Sequence, residues 1–266
     1  ESQESALFND PRALVTATGD VRELKGAKSA YDFVREEGER LTAARKPLTR
    51  EAFLAVTGID PNVQAVEKDL AVQTKERFLV RRSIVMRTDD FTQIPVVTFY
   101  PQLSTSNLQP PILIIGDAKD RRVETAEVEV RLKEGRIVAV ADLRGFRETD
   151  CNPHPFYFCP SADECYAMMH YWLGESIVAK RAEDLLVVAR KLSREANGAK
   201  VAVVAKGRAA IPVAHARFAE PGLFGEIQCR YEPLSWKVLL SDPQAPYRFA
   251  NVVNGAYRVY DWIDLL

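Results

Sequence analysis

The sequence lacks several features that define common classes of protein. Its 266 residues include only four cysteines, too few for a disulfide scaffold. Its 36 Lys and Arg residues nearly balance its 37 Asp and Glu residues, and neither sign gathers into a long run. This balance argues against a nucleic-acid partner and against a charged tail. The chain also has no Gly- or Ser-rich linker, no low-complexity tract and no internal repeat.

Long hydrophobic runs are absent as well. A membrane-spanning helix needs about 20 apolar residues, whereas the longest apolar runs, Pro110–Ile115 and Val201–Ala205, have the length of a strand. The sequence starts at Glu1 without a signal peptide, so we expect a mature or excised product. The composition, 47% hydrophobic and 27% charged, is typical of a soluble globular protein. We expect no membrane partner and no cofactor.

Three of the four cysteines lie close together, at Cys151, Cys159 and Cys165. In a secreted protein two of them could form a bridge, and Cys151 with Cys159 is the pair we predict. The same segment contains His154 and His170, which raises the alternative of a zinc site. Zinc sites with a strong sequence signal use tight C-x2-C or H-x3-H pairs, and this segment has neither. We therefore expect no metal and favour a loop disulfide or buried thiols.

Apolar periodicity divides the chain into an N-terminal appendage and a core. The spacing predicts a helix over Ala27–Ala44 and a short helix near Thr49, a residue type that caps helices. The polar stretch Lys68–Lys75 is the candidate boundary. We predict an N-terminal arm and helical appendage at residues 1–75 and an α/β core at residues 76–266.

The predicted core begins with two β-rich runs, Arg77–Arg87 and Ile94–Tyr100, which form an antiparallel hairpin. Strands and helices then alternate, and the strands are continuously apolar. This combination predicts an α/β fold with a mostly parallel sheet and helices on both faces. The further predicted elements are strands at Pro111–Ile115, Arg136–Asp142, Val201–Ala205 and Phe224–Tyr231, and helices at Arg122–Glu134, Ala167–Leu192 and up to about Ala219.

A strand, a sharp turn and a helix follow one another in Val201–Phe218, and the turn reads Lys206-Gly207-Arg208-Ala209. Earlier in the chain stand the loop ADLRGFRET, residues 141–149, and the helical segment YWLGESIVAKRAEDLLVVARKL, residues 171–192. The order of elements resembles the α/β-hydrolase fold, and more narrowly the acetyl xylan esterase-like branch of bacterial carbohydrate esterases. The loop is similar to that branch's D-x-R-G-x-G-x-T sequence. The resemblance spans about Leu7 to Leu266.

The resemblance implies a site at the turn. In serine hydrolases of this fold the turn reads small-x-Ser-x-small and presents the catalytic hydroxyl beside an oxyanion hole. The nucleophile position falls on Gly207, which has no side chain to attack a carbonyl, so Lys206, Gly207 and Arg208 would form a vestigial elbow. The oxyanion-hole turn falls on Gly116 and Asp117, where the Asp117 carboxylate would repel a developing oxyanion.

Other binding candidates accompany the turn. Lys206 and Arg208 flank a predicted helix N-terminus, which favours anions, so they could hold a carboxylate or phosphate or simply be solvated. His154 and Tyr157 belong to an aromatic loop that could stack on a sugar or pack onto the core. His215 lies within the helix after the turn, and we expect a structural or surface role for it.

These residues predict a catalytically degenerate carbohydrate-esterase-like domain that packs with an active partner domain or binds a ligand such as a carbohydrate. The alternative is an active carboxylic-ester hydrolase of the acetyl xylan esterase type, because the family's acid and His follow later strands and sequence beyond Leu266 could supply them. The expected partner is the remainder of a longer or tandem polypeptide, or a second copy of the chain. The expected location is secreted or periplasmic.

A last expectation concerns the C-terminal end of the sequence. A sheet that ends with the strand Phe224–Tyr231 exposes the backbone donors and acceptors of that strand. The tail Tyr257–Leu266 would add apolar surface in water. We therefore expect a second polypeptide to cover this edge.

Overall fold

The fold is built on one mixed sheet. The computed structural model describes residues 14, 16–75, 78–101, 109–116, 122–150, 161–230, 233–242, 244–245 and 248–266. Within these ranges seven strands are ordered β1-β2-β3-β5-β4-β6-β7. They are β1 (Ala65–Thr74), β2 (Phe78–Arg87), β3 (Gln93–Pro101), β4 (Gln109–Gly116), β5 (Arg136–Ala141), β6 (Val201–Lys206) and β7 (Phe224–Arg230).

Strand direction divides the sheet into two parts. The neighbours β5, β4, β6 and β7 are parallel, as the continuous apolar runs predict. The strands β1, β2 and β3 pair antiparallel, and β3 joins the parallel part through an antiparallel pairing with β5. The predicted hairpin and parallel sheet are therefore confirmed.

The α-helices in the described ranges are short or medium in length. They are α1 (Ala30–Ala43), α2 (Arg50–Thr57), α3 (Arg122–Lys133), α4 (Ala162–Trp172), α5 (Ile177–Glu195), α6 (Ala210–Ala219) and α7 (Trp236–Ser241). Single 3-10 turns lie at Val21–Glu23, Arg147–Thr149, Gly207–Ala209, Phe249–Asn251, Ala256–Arg258 and Trp262–Leu265. None of the helices in these ranges has the length and apolar character that a bilayer crossing requires.

Side chains at the N-termini explain where the first two helices begin. Ser29 and Asp32 form a reciprocal capping box at the start of α1. The Thr49 hydroxyl accepts a hydrogen bond from the Ala52 N–H at 3.2 Å and caps α2, as its residue type predicts.

The predicted helix Ala167–Leu192 is wrong, because the chain forms two helices there. Gly174 has a φ of 74°, a left-handed conformation that ends α4 before α5 begins. The apolar periodicity continues through the break and hides it. The consequence is that α4 can turn towards the carboxyl ends of the strands.

The predicted boundary stretch Lys68–Lys75 lies largely in an ordered strand. Residues up to Thr74 belong to β1, which pairs with β2 along its whole length. The stretch is polar because β1 is an edge strand whose residues are mostly exposed. The first 75 residues therefore contribute a strand to the sheet, and the division of the chain into two parts stays a prediction.

Apolar side chains of the parallel strands point alternately to the two faces of the sheet. On one face Ile112, Ile114 and Val204 pack with Val128 of α3. On the other face the core contains Leu113, Ile115 and Val203 together with residues of α5 and α6. Helices therefore cover both faces, as predicted.

The prediction of an exposed C-terminal tail is wrong. Tyr260, Trp262 and Leu265 are buried in the chain's own core, and the Trp262 indole N–H donates to the Leu234 carbonyl oxygen at 3.1 Å. Ile263 and Leu266 are about half exposed. The tail therefore closes the core itself, whereas covering of the β7 edge by a second polypeptide stays a prediction.

Candidate functional site

The carboxyl ends of the parallel strands bring two predicted site residues together. Gly116 ends β4, Lys206 ends β6, and these residues pair in the register of the two strands. Lys206 also pairs with Arg230 at the end of β7. In open α/β sheets this edge carries the ligand crevice. Gly116 and Lys206 therefore lie at the same edge of the sheet, and a site there stays a prediction.

The turn after β6 has the backbone of a nucleophile elbow. Gly207 has a φ of 61° and begins the 3-10 turn Gly207–Ala209, which leads directly into α6. A nucleophile elbow holds its central residue in such a strained conformation between strand and helix. Glycine adopts this conformation at little cost. The turn therefore has the elbow's backbone shape but no nucleophilic side chain.

Four residues, which we call the arginine clamp, fix the elbow to the rest of the fold: Phe146, Asp163, Arg181 and Arg208. The Asp163 carboxylate, in the first turn of α4, accepts from both guanidinium groups. The guanidinium carbons lie 4.1 Å (Arg181) and 5.5 Å (Arg208) from the centroid of the Phe146 ring. Because Arg208 follows Gly207 directly, the clamp ties the elbow to α4, α5 and the loop after β5.

The loop after β5 packs closely against the clamp. Gly145 has a φ of 73°, and a Cβ atom at this position would lie 2.8 Å from Nη2 of Arg181. Arg181 Nε donates to the Arg144 carbonyl oxygen at 2.9 Å. The conformation therefore favours glycine at position 145, and a larger residue there would have to displace the Arg181 guanidinium.

Arg147 stands where the D-x-R-G-x-G-x-T pattern has its second glycine. Its φ of 50° lies in the left-handed region that favours glycine. The buried Arg147 guanidinium pairs with Asp142 at 3.1 Å, and this contact offsets the backbone strain. Arg144 pairs with Asp184 of α5 at 2.7 Å. The charged residues of this loop therefore hold the loop in place.

His215 does not belong to the site. It is fully buried on α6, with Nδ1 2.7 Å from the Ile211 carbonyl oxygen and Nε2 2.7 Å from the Tyr260 hydroxyl. The carbonyl only accepts, so Nδ1 donates to it and Nε2 accepts from Tyr260. Burial lowers the pKa of His215 to about 4, against the opposing effect of the Ile211 hydrogen bond. The side chain is a neutral core residue.

The remaining predicted site residues are divided between described and undescribed parts of the chain. The Lys206 side chain is buried, and Arg208 is engaged by Asp163, so anion binding by either stays a prediction. Five candidates lie outside the described residues: Asp117, Cys151, His154, Tyr157 and Cys159.

The residues considered for a disulfide or zinc are also only partly described. Cys165 is buried and is a free thiol. His170 contacts the Glu175 carboxylate at 2.9 Å. In the ranges that the structure describes, no three His, Cys, Asp or Glu side chains are grouped to hold a metal.

Sequence reasoning missed the arginine clamp. Asp163 falls before the helix that periodicity predicts, and Phe146, Arg181 and Arg208 come from separate elements. The one available signal is the Ser161-x-x-Glu164 spacing, which is typical of a helix start and would have placed Asp163 in a first turn.

The sheet order, the covering helices and the elbow backbone define an α/β-hydrolase-like fold. No protein-family model and no curated protein matches the sequence. A solved structure of a Bacteroides fragilis protein assigned as an acetyl xylan esterase does match, with a TM-score of 0.61 at 11% identity. The match covers 95% of this chain and 72% of that chain.

Two further structures are weaker matches. Acetyl xylan esterase 1 from Thermoanaerobacterium sp. JW/SL YS485 has a TM-score of 0.41 at 11% identity, covering 88% of this chain and 73% of its own. A glucuronoyl esterase from Solibacter usitatus has a TM-score of 0.43 at 13% identity. That match covers 67% of this chain and 56% of the esterase. At these identities the similarity to the Bacteroides structure establishes an esterase-like fold, and the other two add no separate support.

Proposed function

We propose that the chain is a catalytically degenerate esterase-like domain, which packs with a partner or binds a ligand without cleaving it. The observation that carries the proposal is Gly207 at the centre of the elbow. A serine hydrolase of this fold needs a nucleophilic side chain at that position. The backbone shape persists here without the group that performs the chemistry.

The surroundings of the elbow support the same proposal. Arg208 is committed to Asp163 and to the face of Phe146. His215 is sealed in the core, and a general base must lie within hydrogen-bond reach of the proton it removes. These structural contacts of Arg208 and His215 support the proposal.

The proposal extends to the class of ligand and to the location of the protein. The Bacteroides fragilis protein is described as an acetyl xylan esterase, which makes a carbohydrate the ligand class to test first. Secretion or periplasmic location, and the Cys151–Cys159 bridge, stay predictions.

The competing function is an active carboxylic-ester hydrolase completed by sequence outside this chain. It requires a nucleophile other than residue 207, because Gly207 has none. The two functions therefore differ in whether the protein has an acylatable nucleophile at a position other than 207.

Hydrolysis of p-nitrophenyl acetate, together with labelling by a fluorophosphonate, tests the proposal. The unmodified chain should show no saturable turnover and no label, since binding and oxyanion effects alone give only about 10³–10⁴-fold over water in the serine-protease case. Gly207→Ser and Gly207→Ala form a matched pair, because both add a Cβ at the same positive φ and only Ser adds a nucleophile.

Label on the serine variant and not on the alanine variant would indicate that the remainder of the elbow still supports acylation. Saturable turnover by the unmodified chain, abolished by the acylating reagent, would contradict the proposal and favour the competing function.

A further inference from the structure

A groove lies on the sheet face that carries α3, and none of its lining residues belongs to the elbow. Its cavity volume is about 410 Å³. Val128 and Leu132 of α3 form one wall, and the floor comes from β2, β3 and β5, with Phe78, Val80, Val97 and Phe99 in the centre. Among the described helices, α3 is the one whose residues line this groove.

The residue pattern of the floor is that of a covered surface. Ser83 and Val85 of β2 and Val96 of β3 point to the opposite, buried face. Antiparallel strands with one face in water normally alternate between apolar and polar residues. Here the residues on the groove side are mostly apolar too. The Phe78 and Phe99 rings contact each other edge to face, with their centroids 6.0 Å apart. We expect the groove to be filled in the working molecule.

Charges of opposite sign stand on the two rims. Arg82 lies on β2 and Glu129 lies on α3, and both side chains are exposed. Neither side chain forms an ion pair or hydrogen bond with another described residue. A surface with a positive rim, an apolar strip and a negative rim is complementary to itself after a twofold rotation.

The wall beside the groove has a shape that can enter it. Val130 follows Glu129 on α3 and is 52% exposed, so α3 presents an apolar knob on its outer side. The protruding α3 next to the groove is compatible with a twofold dimer, since α3 of each molecule can enter the groove of the other.

We propose that a second copy of this chain docks in the groove. In this twofold dimer α3 of each copy lies over the partner's β2 and β3, and Arg82 pairs with the partner's Glu129. The dimer rests on the proposed function, because it gives the packing with a partner a defined surface. The experiment that tests the dimer measures the oligomeric state, which does not depend on ester hydrolysis.

Light scattering coupled to size exclusion, followed across a dilution series, tests the dimer. The unmodified chain should be dimeric and dissociate on dilution. Arg82→Glu and Glu129→Arg should each raise the dissociation constant by about tenfold or more, because each places like charges opposite one another. The combined variant, with the charges exchanged, should recover most of the lost affinity.

Two further variants separate docking from folding. Val130→Asp changes an exposed side chain, so it should keep the unfolding temperature and weaken the dimer. Glu39→Arg, an equal reversal on α1 outside the groove, should leave the dimer unchanged. A monomer at every concentration would overturn the proposal. A dimer whose dissociation constant is unchanged by both charge reversals would also overturn it. So would a loss of affinity in the single variants that the combined variant does not recover.

Discussion

At the scale of single residues, His215 shows how the fold holds a titratable group in its neutral form. The imidazole packs against the rings of Phe53, Trp236 and Tyr260 and has no charged partner among its hydrogen bonds. A proton added to this ring would place an uncompensated charge in the core. The free energy of unfolding therefore depends on the protonation of His215.

We expect the stability to fall as the pH drops from about 6.5 towards 4. Unfolded His215 takes up a proton below its ordinary pKa of 6.5, whereas the folded side chain resists protonation until the pH approaches its pKa of about 4. The associated loss is roughly 3 kcal/mol once the pH has fallen below the folded pKa. Urea unfolding at about pH 7 and about pH 4.5 measures most of it.

Two variants isolate the imidazole. His215→Gln has no proton to gain and should lose this part of the pH dependence, whereas Tyr260→Phe keeps the imidazole buried and should retain it. Equal pH slopes for the unmodified chain and His215→Gln would show that another group is responsible.

At the scale of elements, the arginine clamp determines how the elbow is oriented. It joins the start of α4, the second turn of α5 and the turn before α6 through one carboxylate, Asp163. A buried carboxylate between two guanidinium groups is hard to remove, because each remaining cation keeps its desolvation cost.

The substitution Asp163→Asn should therefore lower the free energy of unfolding by about 3 kcal/mol, at the low end of the range for broken buried pairs because Arg208 still reaches solvent. Chemical denaturation measures the change. Glu37→Gln is the matched control, since its pair with Arg40 is exposed and should contribute nothing measurable. A similar effect of both variants would mean that the clamp does not anchor the elbow.

The elements differ in how far the sequence could predict them. Strands β4 and β6 are continuous apolar runs, and Thr49 is a capping residue, so each could be predicted locally. The break at Gly174 interrupts an apolar pattern that continues on both sides, so periodicity alone could not find it. Strand β1 has few buried side chains, and its polar sequence is typical of a linker as well as of an edge strand.

The parts of the candidate site also differ in how far the sequence could predict them. The elbow and the missing nucleophile could be predicted because strand, turn and helix are contiguous in the sequence. The clamp could not, since Phe146, Asp163 and Arg181 meet only after the sheet has brought their elements together.

At the scale of the whole molecule, the C-terminal tail completes the core. Trp262 is buried beside α6, whereas its neighbour Ile263 is 47% exposed. Trp262→Ala should lower the free energy of unfolding by about 3–5 kcal/mol through loss of packing and creation of a cavity. Ile263→Ala should change it by less than about 1 kcal/mol. Urea denaturation compares the two, and equal effects would contradict the docked tail.

The N-terminal helices pack against this same C-terminal region. The Phe53 ring of α2 lies within contact of His215, Phe218 and Tyr260. Arg45 donates to the Tyr257 carbonyl oxygen at 2.8 Å, across 212 positions of sequence.

This arrangement has a consequence for biosynthesis. A ribosome adds about 5–20 residues per second, so α1 and α2 emerge roughly 10–40 s before the segment they pack against. During that interval the apolar side of each helix has no native partner, which makes these helices candidates for chaperone binding on the nascent chain. Docking of the first two helices is thus a late event in folding, and it cannot precede the translation of Tyr260.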